Sequence, residues 1–324
     1  MLVDNFDALF LDLDGVVYKG ASAVPHAVEA INRVQDQGGV VSYLTNNSSR
    51  RPDTIAEQLV SLGINATADQ IVGSAMSGAA LLATKIPAHS KVLVVGGEGL
   101  RYEVSLQGFE VVDEASQEPA AVIQGFSPDV SWRNLAQAAF AIQAGAIWIA
   151  TNQDWTIPLE QGIAPGNGTL VGAVHTAAGI LPEVAGKPHR PIFDYAIEKL
   201  KAAKPLMVGD RLDTDIRGAN TAGIESAVVL TGIATRKELV AAKPEDRPKY
   251  ILEDLNGLFE NYVAPETTKR GAKCGKSVVE LLGDSVVLTS GNPKSLETLK
   301  AACHLIWGSG RPIYGLQVDP SIYS

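Results

Sequence analysis

Short runs rich in aliphatic and β-branched residues alternate along this chain with longer stretches of helical period: ALFLDLD, then AVEAINRVQDQG, then VVSYLTNNS, then RRPDTIAEQLVSLG. A strand covered on both faces reads as a near-continuous apolar run, and an amphipathic segment between two such runs supplies the crossover that parallel strands need. The chain is therefore expected to be α/β, with a Rossmann-like core on a parallel sheet. A second alternation runs from KVLVVGGEGL to GAIWIATNQD, after which RPIFDYAIEKL and PLMVGD resume the earlier style. This places an inserted α/β domain at residues 83–186 between the core segments 1–82 and 187–264. Residues 265–324 begin with the basic linker ETTKRGAKCGKS and continue as a small α/β appendix. A piece of that size rarely buries enough surface to stand alone, so docking on the core is expected.

Composition narrows the partners. Of 324 residues, 36 are acidic and 27 basic, a net charge of −9, which disfavours a surface built for nucleic acid or anionic lipid. Small-molecule partners fit better. Asp4 and Asp7 stand where a secretion signal needs basic residues, and the longest apolar stretch, Ala138 to Ala150, is broken by Gln143 and Gly145. No membrane partner is expected. The two cysteines, Cys274 and Cys303, lie 29 residues apart, a spacing that suggests neither a disulfide framework nor a zinc site. A reducing cytoplasm suits them.

Chemistry concentrates where the apolar runs end, which in parallel sheets is where active sites form. The run LFLDLDGVVYKG carries Asp12 and Asp14 two positions apart, a spacing that puts both carboxylates on one face of a strand. A carboxylate such as Asp12 can attack phosphorus, and Asp14 can protonate the leaving oxygen and then deprotonate water. TNNSSR offers the Thr45 hydroxyl and the Asn46 backbone N–H in a loop ahead of a helix, and AGKP adds the Lys187 cation. GDRLDTD places Asp210 and Asp215 around a strand-to-helix turn. Oxygen ligands from Asp12, Asp210 and a backbone carbonyl suit Mg²⁺. VVGGEGL does not complete a dinucleotide fingerprint and reads as a strand-ending turn, and Asp213 reads as a helix-start residue. His189 is read as a supporting or exposed group. Trp132, Trp148 and Trp155 are expected in the core of the insertion, with Trp155 the one to face the cleft.

In this order, DxDG, Thr, Lys and GDxxxTD, the motifs resemble those of the haloacid dehalogenase superfamily over residues 8–262. The insertion, with GFSPDVSW, ATNQDWTIP and PGNGTLVGAV, is similar to the C2-type cap of the nitrophenylphosphatase group. The resemblance implies Asp12 as nucleophile, Asp14 as acid and base, and Thr45 and Lys187 as phosphate holders, beside the Asn46 N–H read from the loop itself. It also implies Mg²⁺ on Asp12, the Asp14 carbonyl and Asp210, with Asp215 supporting the metal, and a homodimer formed through the cap. The long tail resembles the acetyltransferase-like appendix of actinobacterial glycerol 3-phosphate phosphatases. The expected reaction is hydrolysis of a small phosphomonoester, glycerol 3-phosphate first, with phosphoglycolate and nucleotide monophosphates as alternatives. Cap loops carrying Asn152, Asp154, Trp155 and Asn167 are the expected substrate selectors. A phosphomutase, or a metabolite-binding scaffold that keeps the fold, are the rival classes.

Overall fold

The structure, a computed structural model, describes residues 1–159 and 161–324. Contacts divide it into two compact units, one of residues 1–40 and 204–324, the other of residues 41–203.

In the first unit, strands Ala8–Leu11, Pro205–Gly209, Glu225–Val229 and Tyr250–Leu252 lie side by side. All three pairings are parallel, with Leu9 opposite Leu206, Val208 opposite Ala227 and Val228 opposite Ile251. The runs are apolar because both faces are covered: all four residues of Ala8–Leu11 and all five of Pro205–Gly209 are buried. Helix Ala27–Asp36 buries Ala27, Ala30, Ile31 and Val34, the i, i+3, i+4, i+7 stripe that its sequence shows.

The tail belongs to this same unit. Strands Glu266–Thr267, Gly271–Cys274, Ser277–Leu282 and Ser285–Ser290 form an antiparallel meander, and Gln317–Val318 adds to it in parallel. Helix Leu296–Gly308 starts at Ser295, whose hydroxyl accepts from the Thr298 N–H as an N-cap. Its buried residues Leu299, Ala302, Cys303 and Ile306 share one apolar cluster with Leu239, Val240 and Ile251 of the core and with Val279 and Val286 of the meander. The Trp307 indole N–H donates to the Leu239 carbonyl at 3.1 Å. The appendix is thus docked through a continuous core, which answers the size argument. Both cysteines are buried free thiols, and burial pushes each thiol pKa up.

In the second unit, Val40–Thr45 and Ile71–Gly73 run parallel, with Thr45 opposite Gly73. A separate five-stranded parallel sheet has the order Glu183–Val184, Ile147–Ala150, Ala121–Gln124, Lys91–Val95, Glu110–Val112. Side-chain alternation sorts its residues onto two faces. Leu93, Val95, Val122 and Trp148 pack with helices Trp132–Gln143 and Asn167–Ala178, while Val92, Val94, Ala121, Ile123 and Ile149 pack with Ser74–Ala83 and Glu98–Leu106. The interrupted apolar stretch resolves into the end of helix Trp132–Gln143 and strand Ile147–Ala150.

The tryptophans correct one expectation. Trp148 is buried, but Trp132 is 81% exposed, because it opens its helix on the solvent side, and Trp155 is 67% exposed. Among the described residues, no helix is long and apolar enough to cross a membrane.

Candidate active site

Asp12 follows directly on strand Ala8–Leu11, and its N–H extends the ladder by donating to the Val208 carbonyl at 2.9 Å. The strand geometry stops there. The N–H groups of Val17 and Tyr18 both turn back to the Leu13 carbonyl, at 2.9 and 3.1 Å, and Gly15 takes φ +85°, the left-handed region open to glycine. Asp12 is therefore half-buried, Leu13 buried and Asp14 exposed. Leu13 is buried between the two less buried aspartates, the alternation their spacing suggests, although Asp14 is the more exposed of the pair.

Asp210 leaves the end of strand Pro205–Gly209, and Asp215 lies in the following helical turn Leu212–Ile216. Each is only 1% exposed. Asp210 Oδ2 accepts from the Ile233 N–H at 2.7 Å, and Asp215 Oδ2 from the Arg211 N–H at 3.1 Å. Oxygens of Asp12, Asp210 and Asp215 all come within 4.8 Å of one another. Asp213 points elsewhere and pairs with Arg211 at 2.9 Å.

A loop that sequence reading passed over completes this cluster. In LTGIATR, after strand Glu225–Val229, the Thr231 hydroxyl donates to the Gly15 carbonyl at 2.6 Å and the Ala234 N–H to the Asp210 carbonyl at 2.8 Å. A Cβ on Gly15 or on Gly232 would overlap the Asp210 carboxylate. The only signal in the sequence is a run of small residues after an apolar strand.

The second unit holds the phosphate-binding candidates. Thr45 ends its strand, 5% exposed; its Oγ1 accepts from the Asn47 N–H at 3.1 Å and keeps its own proton to donate. Lys187 is 3% exposed and donates one ammonium proton to the Leu44 carbonyl at 2.9 Å. Asn46 ties these together: its Oδ1 accepts from the Lys187 N–H at 2.8 Å, and its Nδ2 donates to the Lys187 carbonyl at 3.0 Å and to Asp154 at 3.2 Å. Sequence reading used only the backbone N–H of Asn46; the structure adds its side chain as a clamp on the lysine peptide.

The expected selectors divide. Asn152 is 4% exposed and donates to the Asn46 carbonyl at 2.8 Å, and Asn167, 1% exposed, donates to the Asn152 carbonyl at 2.8 Å. The Nδ2 groups of both amides thus go to main-chain carbonyls, while Asn167 Oδ1 is buried with no hydrogen-bond partner among the described residues. Asp154 is half-buried and Trp155 exposed, so these two are the more accessible. The loops around them dock directly, Gly166 N–H on the Trp155 carbonyl and Gly168 N–H on the Asp154 carbonyl, at 2.8 and 2.9 Å.

The cluster fits a hard divalent cation. Its donors are all carboxylate oxygens, two of them buried, and three such charges this close repel one another unless a cation lies among them.

Residues 9–110 match the model of the haloacid dehalogenase-like hydrolases, and residues 184–258 a second model of HAD-hydrolase-like proteins. The chain belongs to this family. It is 43% identical to the D-glycerol 3-phosphate phosphatase of Mycobacterium tuberculosis over 80% of this chain and 73% of that one. It is 35% identical to an acid sugar phosphatase of Staphylococcus saprophyticus over 79% of this chain and 98% of that one. A crystal structure of glycerol phosphate phosphatase from Mycobacterium tuberculosis in complex with magnesium superposes with a TM-score of 0.90 at 38% identity, covering 98% of this chain and 95% of that chain. The tail therefore falls within the matched fold.

Proposed function

We propose that this chain is a Mg²⁺-dependent phosphoric monoester hydrolase that acts on glycerol 3-phosphate through an aspartyl-phosphate on Asp12. The reading rests above all on the three-carboxylate cluster of Asp12, Asp210 and Asp215. The substrate is supported by the similarity to the mycobacterial phosphatase and by the match of the whole fold, tail included.

Asp12 is half-buried at a strand end whose main chain is fixed by its N–H bond to the Val208 carbonyl, and its carboxylate attacks phosphorus. Exposed Asp14 gives a proton to the departing glycerol oxygen and then takes one from the water that hydrolyses the acyl phosphate. The Thr45 hydroxyl, the Asn46 N–H and the Lys187 ammonium hold the phosphoryl oxygens, and Asn46 fixes the lysine peptide that carries the cation. Asp12, the Asp14 carbonyl and Asp210 would hold Mg²⁺, with Asp215 supporting it. When bound, the ion supplies positive charge to phosphoryl oxygens and lowers the repulsion among the carboxylates.

Residues 83–186 act as the cap that excludes water and selects the leaving group, with Asp154 and Trp155 as selectors. The protein works in the cytoplasm, and its cap forms a homodimer, which sedimentation checks. Phosphate release from glycerol 3-phosphate, phosphoglycolate, pyridoxal phosphate and UMP, with Mg²⁺ and with EDTA, tests the reading. Metal-dependent turnover favouring glycerol 3-phosphate is expected. Preference for another ester overturns the substrate, and silence across the panel from folded protein overturns the activity.

A further inference from the structure

Away from the carboxylate cluster, the first unit contains a cavity of about 370 Å³ between the segment Leu252–Val263 and the tail helix Leu296–Gly308. That volume is within the range of sites for small metabolites. Its wall carries one cation, Lys300, which is only 9% exposed. The ammonium lies 3.9 Å from the centre of the Tyr262 ring, and among the described residues it makes no hydrogen bond or ion pair. Burial lowers its pKa, a sign that no neighbour fully offsets the lost hydration.

Four carboxylates line the same cavity, and three are already engaged. Glu253 pairs with Arg236 at 2.9 Å, Asp254 with His26 at 2.7 Å, and Glu297 accepts from the Lys276 N–H at 2.9 Å. The fourth, Glu260, is exposed and makes no side-chain hydrogen bond or ion pair among the described residues. The cavity thus holds a buried cation whose near contact is the Tyr262 ring and an exposed anion, Glu260, that acts on it through space, and among the described residues no ion pair joins the two.

We propose that this cavity is a binding site for a small zwitterion, an α-amino acid, with its carboxylate on the Lys300 ammonium and its ammonium on the Glu260 carboxylate. A ligand with only a negative group would satisfy Lys300 but meet a rim of carboxylates; one with only a positive group would leave the buried ammonium unmatched. A molecule carrying both charges a few bonds apart answers both. The site sits where the tail meets the core, so it gives the appendix a role that does not touch the phosphoryl chemistry.

Titration calorimetry of the full chain with L-alanine, L-serine and L-glutamine tests this, with propionate and isopropylamine as single-charge controls. At least one amino acid should give saturable heat that neither control reproduces. Lys300→Met should weaken it at least about tenfold, the loss of one charge-assisted hydrogen bond. Glu260→Gln, at an exposed position that leaves packing alone, should weaken it similarly and guards against a folding defect in the lysine variant. No heat from any of the three, equal binding of propionate, or affinity unchanged in both variants overturns the proposal. Phosphate release by these variants should stay at the wild-type rate, which separates this site from the hydrolase reading.

Discussion

Gly232→Ala puts the metal-cluster geometry at risk without touching a titratable group. An alanine Cβ there would overlap the Asp210 carboxylate, whereas ordinary contact needs about 3.4 Å or more between such atoms, so the carboxylate must move by well over an ångström. That displacement breaks the 2.7 Å hydrogen bond from the Ile233 N–H, a bond to a charged acceptor worth about 1.5–3 kcal/mol. It also exceeds the roughly 0.2 Å tolerance of a metal site. A one-ångström misplacement costs about 10²-fold in rate, equivalent to about 2.7 kcal/mol of barrier. Phosphate release measured against Mg²⁺ concentration should show kcat/KM down about 10²-fold and half-saturation at higher Mg²⁺, with a thermal midpoint lowered by a few degrees. Wild-type turnover with an unchanged Mg²⁺ curve would show that Gly232 does not shape the site and refute the argument.

Asp12→Asn should abolish phosphate release while leaving the circular dichroism spectrum and melting cooperativity intact, since the strand ladder uses only its backbone N–H. Asp14→Asn should slow turnover by about 10² to 10⁴-fold in steady-state assays, the usual weight of a general acid and base. Leu299→Ala, at a fully buried site shared by tail and core, should cost about 2–5 kcal/mol in a single denaturant transition; a separate early transition of the tail would contradict the shared core. Glu103 is 4% exposed, with one oxygen that has no hydrogen-bond partner among the described residues, and burial raises its pKa above the unfolded value. The folded state then holds its proton longer than the unfolded state, so stability falls as pH rises from the unfolded pKa through the folded one. Glu103→Gln should remove that fall, visible as melting curves of the two proteins that diverge with rising pH.

Much of this arrangement is legible in the sequence because it depends on local rules. Strands buried on both faces show as apolar runs, and Asp12, Thr45 and Asp210 stand where those runs stop. What escaped depends on contacts distant in sequence. Nothing in LTGIATR marks Gly232 or Ile233 until the loop is seen folded against Asp210. Asn152 and Asn167 stand out by their place in the cap loops; that their Nδ2 groups also hold main-chain carbonyls of distant segments shows only in the folded chain. Trp132 misled because size argues for burial while its place at the start of a helix decides exposure. At Asp12 and Asp14 the alternation of burial around Leu13 follows the local spacing, and the turn at Gly15 comes only after both carboxylates.

The stereochemical course at phosphorus tests the central claim most directly. An isotopically chiral phosphorothioate analogue of glycerol 3-phosphate, hydrolysed in labelled water, reports whether one or two displacements occur. Attack by Asp12 followed by attack of water gives two inversions and net retention, which is the predicted result. Net inversion would mean that water attacks the ester directly, and Asp12 could not then be the nucleophile.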